Sequence, residues 1–403
     1  MSRFTALLLA FLASLVTPAF SADPPRGTTT APAAAITPPA AIVDPRDDID
    51  PATGLARTTI VRPLADVPPV PAPRRTAQIP TGAHIALILP TNSPSLGRLA
   101  DAVRQGFSAA AEVAGKGGPP VNVTATDNEA AALLDACHAE QAAGAVIVVG
   151  GITRDGATLL AKGDCTRQLV LALNEPQAAP NDLPPNLYTG SLSLENEARQ
   201  VALMAVADGL RSAVIITSGT PLAKRVQDAF EREWSRDAGQ TAGRITFNGG
   251  PDDAPLVREK LAGVNADMVF MALDQPEARL VRPYVSGMLP LYATSMSVNP
   301  RAETIVNVDL QGLRYTEMPW FVQPDHPAVM VYPAPHGMPI EEERLYAFGI
   351  DAYRIAVQLL RGDKRAPIDG VSGKLTLEPP AQYARTLTPV EVDGGHVIPL
   401  RAP

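Results

Sequence analysis

Ile85-Ala86-Leu87-Ile88-Leu89-Pro90-Thr91-Asn92-Ser93-Pro94 is a short apolar run followed by a turn rich in helix-capping side chains. An unbroken apolar run of this length suits a strand buried on both faces of a parallel sheet. Apolar residues then fall at Leu96, Leu99, Val103, Phe107 and Ala110, the spacing of one buried helix face. Val121 to Thr126 alternates as a second strand, and Glu129 to Ala142 reads as helix. Ala145 to Val149 is a third buried strand, ending at Gly150-Gly151. Parallel strands need crossovers, and helices of this length supply them in right-handed β-α-β units. Ligands of such sheets sit beyond the carboxyl ends of the strands.

The same alternation continues downstream. Asp155 to Lys162 predicts a helix, Leu169 to Leu173 a strand, and Asn186 to Gly190 a short strand closing the main part of a first lobe, about 83–190, to which C-terminal segments are also expected to belong. A second series begins with a helix from Leu194 to Gly209, capped by Ser193 and acidic in its first turn. Strands are expected at Ala213 to Ile216, Arg244 to Phe247, Asp267 to Leu273 and Leu289 to Thr294. Helices are expected at Pro221 to Ala238, Pro255 to Leu261 and Pro276 to Val285. The fold class is therefore α/β: two doubly wound α/β lobes with a central cleft, the second lobe spanning about 193–335. Asp309 to Val322 reads as a strand broken by Pro319. Glu341 to Leu360 is the longest helix, with Leu345, Phe348, Ala352, Ile355 and Leu359 on its buried face. From Gly370 a small β-hairpin region runs to the end.

At 403 residues and 46% hydrophobic, the chain is long enough for two packed lobes. A basic Met1-Ser2-Arg3, an apolar Phe4 to Val16 and small residues up to Ser21 read as a signal peptide, residues 1–21. Its apolar run is short of the ~20 residues a membrane span needs. Residues 22–80 hold 13 of the chain's 41 prolines and read as a disordered linker or tether. The net charge of −8 argues against a nucleic-acid or anionic-membrane surface. An exported protein in the periplasm, free or associated with the outer membrane, is the expectation.

Catalytic motifs are missing. There is no Gly-x-Ser-x-Gly elbow, no Walker loop and no Gly-x-Gly-x-x-Gly after the first strand. His84, His138, His326, His336 and His396 are scattered and no Cys-x-x-Cys exists, so neither a metal nor a cofactor is expected. Cys137 and Cys165 are the two cysteines, and thiols in an oxidising compartment often pair. Cys137 lies on the helix before the third strand and Cys165 just after the next helix. Helices on neighbouring strands can share a face, so a Cys137–Cys165 disulfide is expected, with two separately buried thiols as the alternative. Polar residues at strand ends are the candidate ligand contacts of the cleft: Thr91, Asn92, Ser93, Thr153, Arg154, Asn174, Gly219, Thr220, Asp274 and Gln275. Each has an alternative reading as a cap or turn.

Two α/β lobes, a late helix rich in Tyr and Ala and a final Gly370-Val371-Ser372-Gly373-Lys374-Leu375 strand resemble the type I periplasmic binding proteins over about 83–377. That resemblance implies a late helix returning to the first lobe and a ligand cleft between lobes. Amino-acid binders of this kind usually carry a tyrosine after the second lobe's first strand, where this chain has Ser218-Gly219-Thr220. A more specific resemblance rests on Pro290-Leu291-Tyr292-Ala293-Thr294-Ser295, Asp309-Leu310-Gln311-Gly312-Leu313, Glu317-Met318-Pro319-Trp320 and the run from Arg344 to Arg354. These resemble the penicillin-binding protein activator family of LppC/LpoA type. The resemblance implies a non-enzymatic envelope protein that stimulates a peptidoglycan synthase, with a class A penicillin-binding protein as partner. It departs in having no lipid-bearing cysteine and a proline-rich segment in place of a helical-repeat domain. Met318, Pro319 and Trp320 then mark either a lobe hinge or a partner surface. The rival reading is the solute-binding component of an ABC importer for amino acids or a related small polar ligand.

Overall fold

The computed structural model describes residues 82–127, 130–179, 182–285, 287 and 289–400. The expected signal peptide and proline-rich segment lie outside the described residues.

The first lobe opens with β1 (His84–Leu89), α1 (Gly97–Ala114), β2 (Val121–Ala125), α2 (Ala130–Ala142), β3 (Ala145–Gly150), α3 (Arg154–Lys162), β4 (Leu169–Ala172) and β5 (Leu187–Gly190). The second lobe follows with α4 (Leu194–Ala207), β6 (Ser212–Thr217), α5 (Pro221–Arg236), β7 (Gln240–Thr246), α6 (Ala254–Ala262), β8 (Met268–Ala272), α7 (Gln275–Val281), β9 (Leu291–Ala293), α8 (Thr304–Asn307) and β10 (Leu313–Glu317). Two helical turns, α9 (Pro319–Val322) and α10 (Pro327–Met330), lead to the long α11 (Ile340–Arg361). The chain ends in β11 (Ile368–Asp369), β12 (Lys374–Glu378), β13 (Gln382–Thr386), β14 (Thr388–Asp393) and β15 (His396–Pro399).

An eight-stranded sheet has the order β11-β12-β13-β5-β4-β3-β1-β2, and a seven-stranded sheet the order β15-β14-β10-β9-β8-β6-β7. The apolar runs sit where both faces are covered: Ile85 to Leu89 are fully buried, as are Val214 to Ile216 and Met268 to Ala272. The chain passes from one sheet to the other after β5, after β10, and between β13 and β14. These crossings bring the two lobes together.

Three expectations are corrected. Asp309 to Val322 is not a strand interrupted at Pro319. The strand stops at Glu317, and Pro319 starts the helical turn α9, where its fixed φ and missing N–H cost nothing. The carboxyl-terminal β region is not one unit. β12 and β13 extend the first sheet while β14 and β15 extend the second. Helix α11 has no single buried face, because every residue from Tyr346 to Tyr353 is buried, whereas Leu345 is only half-buried. The helix lies in the first lobe's core against α1, with Phe107 and Tyr353 edge to face at 5.3 Å. Gly106 and Gly349 make that approach possible. A Cβ at Gly349 would stand 2.3 Å from the Val103 carbonyl oxygen, and one at Gly106 1.9 Å from that of Tyr346.

Candidate functional site

The strand-end loops hold the cleft candidates, and the structure ties most of them to the backbone. The Ser93 hydroxyl accepts from the Leu96 N–H at 3.3 Å, while the Asn92 N–H donates to the Thr126 carbonyl at 3.0 Å and that of Thr91 to Leu89 at 2.8 Å. Thr153 caps α3 through the Gly156 N–H, and Thr220 caps α5 through the Ala223 N–H. Gly219 sits at φ +72°, a turn conformation that favours glycine. Asp274 and Glu277 form a reciprocal capping box on α7. The Asn174 amide donates to the Ile152 carbonyl at 2.9 Å, and its oxygen accepts from the Glu175 N–H. Gln275 donates to Asn307 at 3.0 Å. Within each lobe these contacts gather Thr153 with Asn174 around Ile152, and Gly219–Thr220 beside Asp274–Gln275 at the ends of neighbouring strands.

Arg154 behaves differently. Its Nη2 donates to Glu195 Oε1 at 2.9 Å, joining α3 of the first lobe to α4 of the second. Glu195 also accepts from Arg225 Nε at 2.9 Å. Burial opposes ionisation of Glu195, yet a backbone N–H, the Arg225 hydrogen bond and the charges of Arg154 and Arg225 outweigh it and hold the carboxyl below its usual value.

A buried ionic cluster at the crossings escaped the sequence reading. Glu317, at the end of β10, is fully buried and takes both prongs of Arg344 from α11. It also accepts from the Met318 N–H at 2.7 Å. Glu197 on α4 accepts from the Ser295 N–H at 3.1 Å and stands 3.8 Å from Arg385 Nη2 on β13. Arg385 further donates to the carbonyls of Ser191 and Ser372, and the Gln200 side chain fastens the Arg385 carbonyl and the Leu387 N–H. Asp351 on α11 receives the N–H groups of Val371 and Ser372 and the Ser372 hydroxyl. Burial pushes the carboxyls of Glu197 and Asp351 upward and the Arg385 guanidinium downward. Buried charges are tolerated only when paired and hydrogen-bonded, and here each has several partners. Glu317 and Arg344 both lie inside stretches singled out from the sequence, and a charge embedded in an apolar motif was the available signal.

Met318, Pro319 and Trp320 belong to this crossing. Trp320 is 3% exposed, its indole donates to Glu343 Oε1 at 2.8 Å, and its N–H donates to the Val371 carbonyl. Glu343 is also paired with Arg301 of the second lobe at 2.8 Å.

Cys137 and Cys165 are joined by a disulfide, their Cα atoms 6.2 Å apart. It ties α2 to the turn Asp164–Arg167 and closes 28 residues, a stabilisation of roughly 3–4 kcal/mol in the chain-entropy picture. Among the described residues, concavities also lie outside the cleft loops. One of about 420 Å³ is lined by Tyr332, Tyr353, Arg354 and Arg361 among others. Another, about 390 Å³, is lined by His138, Gln141, Asp164, Arg167 and Gln168.

Two α/β lobes with three crossings and a long helix returned to the first lobe define a type I periplasmic-binding-protein fold. The chain belongs to the LppC family, described as "LppC putative lipoprotein", whose model matches residues 75–261 and 254–395. It is 27% identical over 328 residues to the penicillin-binding protein activator LpoA of Edwardsiella piscicida, covering 71% of this chain and 47% of that protein. To the LpoA of Escherichia coli K12 it is 24% identical over 305 residues, covering 64% and 44%. The chain thus spans about half the length of the curated relatives it matches. Among solved structures, one described as a putative branched-chain amino acid ABC transporter from Chromobacterium violaceum is 34% identical, with a TM-score of 0.64 over 76% of this chain and 99% of that one. The LpoA C-domain from Haemophilus influenzae, described as a regulator of PBP1A, superimposes with a TM-score of 0.67 at 23% identity, covering 79% and 100%. The last likeness is one of fold.

Proposed function

We propose that this chain is a non-enzymatic regulator of peptidoglycan synthesis that acts by contact with a class A penicillin-binding protein in the cell envelope. The naming of its relatives as activators supports the partner. The observation that carries the mode of action is the state of the cleft: Thr153, Thr220 and Asp274 are committed to caps, Asn174 to the Ile152 carbonyl, and Arg154 to Glu195 across the gap. To take a solute here, the lobes would have to part and release these groups. Here Arg154–Glu195, Arg344–Glu317, Arg385–Glu197 and Arg301–Glu343 pin one lobe to the other. A pinned two-lobed body suits a docking scaffold. Among the described residues no helix is long and apolar enough to cross a membrane. The test is to add the purified protein to class A synthases polymerising lipid-linked precursor, with crosslinking in parallel. Faster polymerisation or crosslinking together with a crosslinked complex is expected. No complex and no rate change with any synthase of the same cell would refute the reading.

A second reading, a solute-binding protein for a small amino acid, is favoured by the 34% identity to the Chromobacterium violaceum protein. Thr153, Arg154, Asn174 and Asp274 would supply its polar contacts. Calorimetry with leucine and valine discriminates, since micromolar binding would move the assignment to this second reading.

A further inference from the structure

Cys137-His138 on α2 and Asp164-Cys165 in the following turn are two dipeptides, each pairing a cysteine with a second metal-ligating side chain. The fold sets them face to face. An imidazole nitrogen of His138, an Asp164 carboxylate oxygen and Cys165 Sγ all lie within 4.8 Å of one another, and Cys137 Sγ is bonded to Cys165 Sγ. His138 already hydrogen-bonds Asp164, so the two polar ligands point to a common place. The concavity of about 390 Å³, lined by His138, Asp164, Gln141, Arg167 and Gln168, gives an ion access from the solvent side. Both cysteines are fully buried, while His138 and Asp164 are open to solvent, so the cluster has a covered sulfur side and an entry side.

We propose that this cluster is a redox-gated zinc site: oxidised, the sulfurs form the disulfide; reduced, Cys137, Cys165, His138 and Asp164 bind one Zn²⁺. Two thiolates, an imidazole and a carboxylate are a borderline-soft donor set that suits tetrahedral zinc. With bonds of about 2.0–2.3 Å, tetrahedral ligand atoms stand roughly 3.3–3.8 Å apart, so the ligand atoms of His138, Asp164 and Cys165 shift by about 1 Å, while reduction frees the Cys137 sulfur to move to the fourth position. Arg167, which also holds Asp164, is a 74% exposed side chain and free to swing away. Gln141 grips the Cys165 carbonyl at 2.6 Å and keeps the turn against α2 in either state. The chemistry balances. A dithiol reduces the Cys137–Cys165 bond with two electrons and two protons and is itself oxidised to its disulfide. Zn²⁺ then replaces the two thiol protons, which pass to solvent. Either cross-link fastens the same turn to the same helix, so the first lobe keeps this staple in reducing and oxidising surroundings alike.

The test uses the full-length protein, oxidised and after anaerobic reduction with a phosphine, titrated with Co²⁺ as the spectroscopic probe. The reduced protein is expected to bind one equivalent with thiolate-to-metal charge-transfer absorption, displaced by Zn²⁺. The oxidised protein is expected to show none. His138→Ala and Asp164→Ala leave the disulfide intact yet weaken Co²⁺ binding to the reduced protein by at least about tenfold. Absence of the charge-transfer band with both thiols free overturns the proposal, as does binding that ignores both substitutions. If reduction alone unfolds the first lobe, Zn²⁺ should restore its circular dichroism, because metal binding is then folding free energy; failure to restore it also overturns the proposal.

Discussion

Arg344 and Glu317 meet as a two-pronged ion pair, Nη1 to Oε1 at 2.6 Å and Nη2 to Oε2 at 2.8 Å, where the long helix of one lobe touches the last parallel strand of the other. Glu317 is fully buried and the Arg344 side chain is 14% exposed. Desolvation disfavours the Arg344 charge, but Glu317 and then Glu197 more than restore it and keep the guanidinium firmly protonated. Removing one member leaves the other a buried charge without its principal counter-ion. Glu317→Ala and Arg344→Ala should each destabilise the protein by roughly 3–5 kcal/mol, read as a drop in the urea midpoint. A double substitution with apolar residues should recover part of that loss. Single-variant losses below about 1 kcal/mol would mean that water relieves the stranded charge.

The Arg154–Glu195 pair spans the same two lobes in different surroundings. The Arg154 side chain is 44% exposed. Exposed pairs are screened and lose side-chain entropy on forming, so Arg154→Ala should cost less than about 1 kcal/mol. Its effect should appear instead in interlobe geometry, as a broader distance distribution between spin labels placed one on each lobe. A large stability loss with unchanged distances would reverse this ranking of the contacts.

The central strands β1, β3, β4, β6 and β8 were legible because a short apolar run buried on both faces depends on local composition alone. Ser193 was legible as a cap for the same reason, since a cap is a contact over three residues, and for Thr153, Thr220 and Asp274, read as ligand contacts, the cap was the alternative. Glu197, Glu317, Arg344 and Arg385 could not be assigned, because partners separated by 27 to 188 positions carry no periodic signal. The half-buried Leu345 follows from tertiary context too. A helix sunk in a core satisfies all its faces, and a single-face periodicity then names only some of the residues it hides.

Gly349 lets the long helix approach the α1 backbone closely. A Cβ there would stand 2.3 Å from the Val103 carbonyl oxygen and 3.0 Å from the Phe107 nitrogen, both backbone atoms that cannot turn aside. Gly349→Ala gains helix propensity of roughly 1 kcal/mol, but it forces two helices apart over a core holding Phe107, Phe348 and Tyr353. Overpacking of this kind typically costs about 1–3 kcal/mol, so a net loss of stability is expected. Gly362→Ala is the control. Gly362 closes the same helix at φ +74° with open space around its Cβ position, so its cost reflects backbone conformation alone. A Gly349→Ala protein more stable than the parent would show that the helices adjust freely.

Glu195 makes the contact between lobes sensitive to acid. Its carboxyl is held below the ordinary 4.5 although burial works against ionisation, since hydrogen bonds and the charges of Arg154 and Arg225 prevail. The unfolded chain therefore binds the Glu195 proton more readily than the folded one. Stability rises with pH wherever the unfolded state holds more protons, so the Glu195 contribution is present above about pH 4.5 and lost as pH falls through the folded-state value. Glu197 has the opposite sign, because burial raises its pKa; its contribution is present in acid and lost as pH rises. The total stability curve mixes the two, and a difference curve separates them. The gap in unfolding free energy between the protein and Glu195→Gln should be widest near neutral pH and shrink steadily below about pH 4.5. The gap for Glu197→Gln should narrow in the other direction, as the pH is raised. Urea titrations of the three proteins at a series of pH values measure both curves, and a Glu195→Gln gap that stays constant into acid would show that neither arginine holds that carboxylate.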